Sequence, residues 1–228
     1  MNGPPIVSLR VGPVQALGPK SVPSGIAKQE AGRPIFLSLG GFEGDEQGDT
    51  RYHGGCDKAV HHYPLDHYAL WRAELGSHPL LDRPGAFGEN ISARGLLENH
   101  AAVGDRFRLG KAIVEVSQGR QPCFRLNLRM DIPDMARRMQ QSGRTGWYYR
   151  VIEEGVVERG DTLELIDRLT PSWTIARLWR LLYIDTLDRE GLSALAATAH
   201  LPLRWRELAA KRLRSGQIED WSLRLGGS

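Results

Sequence analysis

The chain has almost no cysteine: two thiols, Cys56 and Cys123, in 228 residues. Two thiols make at most one disulfide, and a chain of this length needs no staple, so both are expected to be reduced. A cysteine-ligated iron–sulfur cluster usually takes four cysteines, so none is expected to reside here. Long apolar runs are missing as well. Nothing approaches the roughly 18 residues that span a bilayer, and the opening MNGPPIVSLRVGPV lacks the basic and apolar blocks of a secretory signal. These absences give a cytoplasmic expectation, with no membrane partner. Nucleotide-binding signatures are also absent: there is no Walker pattern, and no GxGxxG opens a helix. No low-complexity tract or long internal repeat occurs.

What is present is enough apolar content, 41%, for one substantial core or for a core with a small second domain. Residues 1–167 read as strands joined by glycine-rich turns. IVSLRVGPVQAL (6–17) alternates apolar and polar positions, and PIFLSLGGF (34–42) does so less cleanly. VGDRFRL (103–109) and RGDTLEL (159–165) each place a Gly-Asp turn before an alternating run; AIVEV (112–116) supplies a return strand after a turn at Gly110 and Lys111. Helix-length patterns between strands are few, at Pro64–Leu75, with Leu65, Tyr68, Ala69 and Leu75 along one face, and at Pro133–Gln141, with Met135 and Met139 one turn apart. The expectation is a mainly β fold, a closed or nearly closed β-barrel with a few helices.

Residues 168–228 read instead as a small all-α unit of three helices. Ser172 is the expected cap of the first and Asp188 of the second, and Pro202 opens the third, which runs through Leu213. Three short helices are marginal alone, so the unit should pack on the barrel or on a partner. It carries ten Arg and Lys against six Asp and Glu, a net of about +4, leaving about −1 for the rest, and holds four of the six tryptophans. A nucleic-acid module is one reading, but Trp173, Trp179, Trp205 and Trp221 fall mostly within apolar stripes and read as core.

The densest chemistry lies in GFEGDEQGDTRYHGGCDKAVHHYP (41–64), where glycines alternate with Asp45, Asp49, His53, Asp57, Lys58, His61 and His62. Tight turns alone would explain the glycines. Zinc would suit the His, Asp and Cys, but the spacing matches no usual zinc pattern. A nest of backbone N–H groups with Lys58 supplying charge would suit a phosphate. GAFGENI (85–91) adds a second glycine turn, whose Asn90 would bond a heterocycle edge or cap the turn. In QGRQPCFRLN (118–127), Cys123 stands between Arg120 and Arg125, a setting that favours a thiolate, although an unmodified cysteine is often just a small buried hydrophobe.

Together GDEQGD (44–49), HGGCDKAVHHYP (53–64), GAFGENI (85–91), QPC (121–123) and GWYYRVIEEGVVERGD (146–161) resemble the MOSC family, in particular its YiiM type with a three-helix C-terminal domain. The resemblance runs from about Val7 to Gly216. It implies a hollow β-barrel and a molybdenum cofactor (Mo-molybdopterin), with Cys123 as thiolate ligand to the metal; pyridoxal phosphate is not implied. By position on the motifs, Lys58, Arg120 and Arg125 become candidates for the cofactor's phosphate, Gly54, Gly55, Asp57 and Asn90 further pocket residues, and His53 a candidate acid. Cys56 stands where close relatives are expected to have proline. The implied activity is reduction of N-hydroxylated compounds such as hydroxylamino-purines to amines. Lacking its own cluster, the chain would take electrons from a separate flavin or iron–sulfur reductase, with the basic tail as a docking candidate. A non-catalytic cofactor-binding or sulfur-carrier protein is the alternative.

Overall fold

Residues 3–48 and 54–227 are described by the computed structural model. The strands are β1 (Ile6–Val11), β2 (Gln15–Leu17), β3 (Val22–Ser24), β4 (Gln29–Glu30), β5 (Ile35–Ser38), β6 (Gly41–Phe42), β7 (Val60–His62), β8 (Ile91–Ala93), β9 (Asp105–Leu109), β10 (Ala112–Gly119), β11 (Trp147–Glu153), β12 (Gly155–Val157) and β13 (Leu163–Arg168). The helices are α1 (Asp66–Leu75), α2 (Arg125–Met130), α3 (Met135–Ser142), α4 (Ile175–Tyr183), α5 (Arg189–Ala196), α6 (Leu203–Ser215) and α7 (Ser222–Gly226), with one-turn helices at Cys56–Lys58 and Pro79–Asp82. Among the described residues, no helix is long and apolar enough to cross a membrane.

Eight strands form one curled sheet in the order β13-β9-β10-β11-β7-β8-β1-β4, and β12-β5-β6 and β2-β3 form two small ones. The fold is therefore mixed α and β rather than mainly β, and the sheet is not the closed barrel expected from the alternation. Its ends do approach. A single bridge joins Pro5 to Thr162, flanked by backbone bonds from Ile6 N to Asp161 O (2.8 Å) and from Leu163 N to Pro4 O (2.9 Å). Pro4 and Pro5 have no N–H to donate, so the ladder cannot extend past this point. The other end of β1 is committed elsewhere: Arg10 and Val11 pair with β4.

Where alternation was strong, the elements form as the pattern requires. β9 and β10 make the hairpin around Gly110 and Lys111, with Gly110 in the left-handed region (φ 58). All eight residues of β10 are buried, Glu115 included. Its carboxylate takes hydrogen bonds from Arg106 Nε and Arg150 Nη1, both at 2.8 Å, so the charge is matched where it is buried.

The helices depart from the pattern in places. α1 buries His67, Tyr68 and Trp71, while Ala69 is exposed. α4 is capped by Thr174, whose side chain accepts from Arg177 N, and not by Ser172; Asp188 caps α5 as expected. The short helices α2 and α7 have too few residues for a visible apolar period and form against neighbours.

Two clusters make the interior. One runs without a break from the sheet (Phe107, Val114, Val116, Tyr149) into α4, α5 and α6 (Ile175, Leu178, Leu182, Leu195, Ala209). Burying Ile175, Leu178, Leu181 and Leu182 of α4 contributes about 6–12 kcal/mol as an upper bound. The helical unit is thus held on the sheet by shared core. The second cluster packs Tyr63, Tyr68, Trp71 and Phe87 against Leu126, Met130, Met135 and Met139. Its centre is the stacked pair Tyr63–Phe87, with ring centroids 4.2 Å apart, and Trp71 Nε1 donates to the Tyr63 hydroxyl at 2.6 Å. This cluster backs the loops 85–90 and 120–125 that build the site.

Candidate functional site

At Gly119 β10 ends, and the next four residues, Arg120 to Cys123, turn into a pocket at one end of the curled sheet. Five other segments reach the same place: residues 24–28 after β3, 45–48 after β6, the one-turn helix with Lys58, the paired strands β7 and β11 through His61 and Tyr148, and the loop 87–90 before β8. The space they enclose, with its mouth, is about 670 Å³.

Three glycines set how closely these walls approach. A Cβ on Gly25 would lie 1.9 Å from Glu46 O, one on Gly48 2.4 Å from Pro23 O, and one on Gly88 2.5 Å from Ile26 Cγ1. Gly88 also has φ of 75°. Side chains there would push the loops apart, so the glycines serve close packing of the pocket rim.

The pocket wall is cationic. Lys28, Lys58, Arg120 and Arg125 all line it together with the Cys123 thiol. Lys28 is already matched by an ion pair with Asp45, and its burial still pulls its pKa down against the pull of Asp45. Arg120 differs. It is 7% exposed, and among the described residues no carboxylate pairs with it. Its side-chain contact is Met139 Sδ at 3.4 Å from Nη1, and its charge acts on the nearby Tyr148 phenol. Arg125 donates from Nε to Pro23 O at 3.3 Å and lies over the Phe124 ring.

Aromatic groups complete the wall. The His61 ring sits 5.0 Å from the Tyr148 ring, and Lys58 Nζ is 5.9 Å from the Tyr148 centroid. Burial pushes Tyr148 above its ordinary value, with Arg120 pulling it down and Cys123 up, so the phenol keeps its proton at neutral pH. Burial, then the positive charge of Arg120, holds His61 well below the ordinary histidine value and therefore neutral.

Of the residues singled out from the motifs, Cys123, Lys58, Arg120, Arg125 and Asn90 line this pocket. Asn90 has no N–H left to bond a heterocycle edge bidentately: Nδ2 donates to Arg10 O (3.1 Å) and Asp45 Oδ2 (2.9 Å), and Oδ1 accepts from His61 N (3.0 Å). It braces the wall. Asp57 faces away, taking Arg150 Nε at 2.7 Å. Gly54 and Gly55 lead into the turn without lining the pocket, and Gly55 needs its φ of 94° there. Cys56 is exposed on the turn. His53, like Asp49, lies outside the described residues.

Lys28 and Tyr148 are pocket residues that the motifs did not single out, and His61 stood among the dense stretch without a role. For His61 and Tyr148 a signal existed: Trp147 pairs with His62 and Tyr148 with His61, so the HHY and WYY runs are cross-strand neighbours. Nothing in the sequence around Lys28 marks it. Among the described residues, no three His, Cys, Asp or Glu side chains come together to hold a metal ion. Among the described residues that line the pocket, Cys123 supplies the one thiol.

Residues 49–164 match the MOSC domain and residues 173–216 the YiiM-like 3-alpha helix domain. The chain is 41% identical to Protein YiiM of Escherichia coli over 97% of its own length and 98% of that protein's. It is 36% identical to a protein of Gibberella moniliformis named Reductase, over 92% of this chain and 37% of that longer one. The crystal structure of YiiM from Geobacillus stearothermophilus superposes with a TM-score of 0.79 at 32% identity, covering 92% of this chain and 99% of that one. The chain belongs to the MOSC family, as a YiiM-type member that carries the three-helix domain.

Proposed function

We propose that the protein is a molybdenum-cofactor-dependent reductase that converts N-hydroxylated compounds, such as hydroxylamino-purines, to amines, with electrons supplied by a separate flavin or iron–sulfur reductase. The observation that carries this reading is Arg120: a guanidinium buried in a pocket wall beside a thiol, with no carboxylate partner among the described residues. A lone buried cation is costly unless an anion completes it. A pterin phosphate is such an anion, and a soft thiolate suits the metal.

The residues present fit the group. Cys123 would hold the metal through Sγ. Arg120, Arg125 and Lys58 would hold the phosphate, with backbone of the glycine loops closing round it. When bound, the cofactor supplies two-electron removal of oxygen from the substrate's N-hydroxyl group. The chain's own part is to bind, orient and protonate. Tyr148 carries a proton at its phenolic oxygen at the pocket wall, and the neutral His61 ring beside it adds no competing positive charge. The amine and water that leave require two protons, for which Tyr148 is the relay within the described residues and His53 a further candidate. The relative named Reductase supports the reaction class.

The test is the molybdenum and pterin content of protein purified from a molybdenum-competent host, wild type against Cys123→Ala, followed by steady-state reduction of a hydroxylamino-purine with a reduced donor protein. Stoichiometric metal lost in the variant, with turnover in the wild type, is the expected result. Equal metal in both would overturn the role of Cys123, and metal without turnover would favour the cofactor-carrier alternative.

A further inference from the structure

The segment that follows α6 does not leave the molecule but runs back across it to the loop that carries Cys123. Its far end is anchored on the helical unit. Arg212, 1% exposed, donates from Nε and Nη2 to Glu219 at 3.0 and 2.7 Å and from Nη1 to Leu182 O at 3.0 Å. Trp221 Nε1 donates to the same Glu219 at 2.9 Å, and its ring meets Tyr183 edge-on at 5.4 Å. Asp220 then starts α7 by accepting from Ser222 N at 2.8 Å.

The near end grips the loop. Arg224 Nη1 donates to Pro122 O at 2.5 Å, and the Arg224 carbonyl accepts from Phe124 N at 2.8 Å. These two groups belong to the peptide units on either side of Cys123. One residue therefore pins both planes between which the Cys123 backbone turns. Arg224 is itself steadied, because Nη2 donates to Gln140 Oε1 at 2.6 Å on α3. One residue further, Leu225 O accepts from Asn127 Nδ2 at 2.8 Å, and Leu225 is buried. The helical unit also reaches the loop directly, where Gln121 Nε2 donates to the Tyr183 hydroxyl at 3.1 Å.

We infer that Arg224 is a positioning residue for Cys123, and that the strap from Glu219 to Leu225 splints the cysteine loop onto the helical unit so that the thiol faces the pocket in one orientation. What that orientation is for rests on the reading of Cys123 as the metal-binding thiol; the splint itself does not. The inference gives the C-terminal helices a part in the site: they hold the far end of the strap. Residue 224 also lies beyond the stretch 173–216 that matches the three-helix domain.

The chain carries its own reference for the test, because Cys56 is exposed on a separate turn whereas Cys123 is partly covered. Cofactor-free, full-length protein is pulsed with N-ethylmaleimide, and modification of each thiol is followed by peptide mass spectrometry. Arg224→Ala is expected to raise the Cys123-to-Cys56 rate ratio about tenfold, the factor that accompanies loss of one charge-assisted hydrogen bond. Arg224→Lys, which keeps a donor for Pro122 O but loses the fork that also holds Gln140, should fall between the two. Leu37→Ala, buried in β5 away from both the loop and the helical unit, controls for general loosening and should leave the ratio unchanged. An unchanged ratio in Arg224→Ala, or an equal rise in Leu37→Ala, would overturn the inference. Failure of the functional reading shows separately, as molybdenum retained by Cys123→Ala, and does not move the alkylation ratio.

Discussion

Arg120→Met should make the cofactor-free protein more stable while weakening its hold on anions. The side chain is 7% exposed and, among the described residues, its charge has no carboxylate to compensate it. The effective cost of burying one ion is several kcal/mol, reduced here because the pocket opens to solvent. Methionine has a similar length and no charge, but gives up the bond to Met139 Sδ, worth at most about 1 kcal/mol. The net expectation is a gain of about 1–2 kcal/mol in urea unfolding of the apo protein, read as a higher midpoint at constant slope. Loss of a charge-assisted contact should cost oxyanion binding about 1.5–3 kcal/mol, or roughly 10- to 100-fold in affinity for inorganic phosphate or pyrophosphate by calorimetry. A variant that is less stable by 1 kcal/mol or more and binds pyrophosphate as the wild type does would refute the reasoning, because Arg120 would then be a structural cation.

Arg150→Met should have the opposite sign. It leaves Glu115, buried in β10, with Arg106 as its remaining arginine, and releases both Asp57 and His200 O, so urea unfolding should show a loss of about 2–4 kcal/mol. Phosphate affinity should fall too, since Asp57 tethers the turn that carries Lys58. His62 is buried and held down to about 3 from its ordinary 6.5. Between those values the unfolded chain binds a proton that the folded chain does not, so stability falls on acidification by about 1.4 kcal/mol per pH unit. His62→Asn should make that slope shallower between pH 6.5 and about 4.5 in urea titrations, with His61 continuing to contribute in the same direction. Gly88→Ala should lower both stability and molybdenum retention, because its Cβ would meet Ile26 at 2.5 Å on a backbone with φ of 75°. Leu182→Ala should cost about 2–5 kcal/mol and loosen the helical unit, as proteolysis would report.

The sequence showed best what depends on near neighbours. The β9–β10 hairpin, the cap at Asp188 and the methionine face of α3 follow from turn chemistry and period, and all form. Closure of the sheet depends on residues some 150 positions apart meeting in register, and alternation cannot show that Pro4 and Pro5 withhold the donors. In the site, Cys123, Lys58 and Arg120 announced themselves by charge and thiol chemistry within short motifs. Asp57 looked equivalent to Lys58 beside it, but on a one-turn helix adjacent side chains diverge, and its carboxylate goes to Arg150. Lys28 was hidden because what makes it a pocket residue is its partner Asp45, brought in from another loop. The positive count of the tail is likewise partly matched by the fold, since Arg168 pairs with Asp105, an acid outside the tail.

The way the first strand is held has a consequence for the newly made chain. Ile6–Val11 is made before all of its partners, which lie at Glu30, at Ile91–Ala93 and, for the closing bridge, at Asp161–Leu163. At ordinary rates of synthesis, the last of these follows on the order of ten seconds or more later. Until then the Pro4–Ile6 end of the strand is an unpaired edge beside Val7, the kind of surface on which nascent chains associate. Arg10 interrupts that apolar run, and its partners Lys28 O and Glu30 are made soon after it, so the early contacts available to the strand are charge-assisted bonds with its own chain. A polypeptide released before residue 163 would keep this edge open.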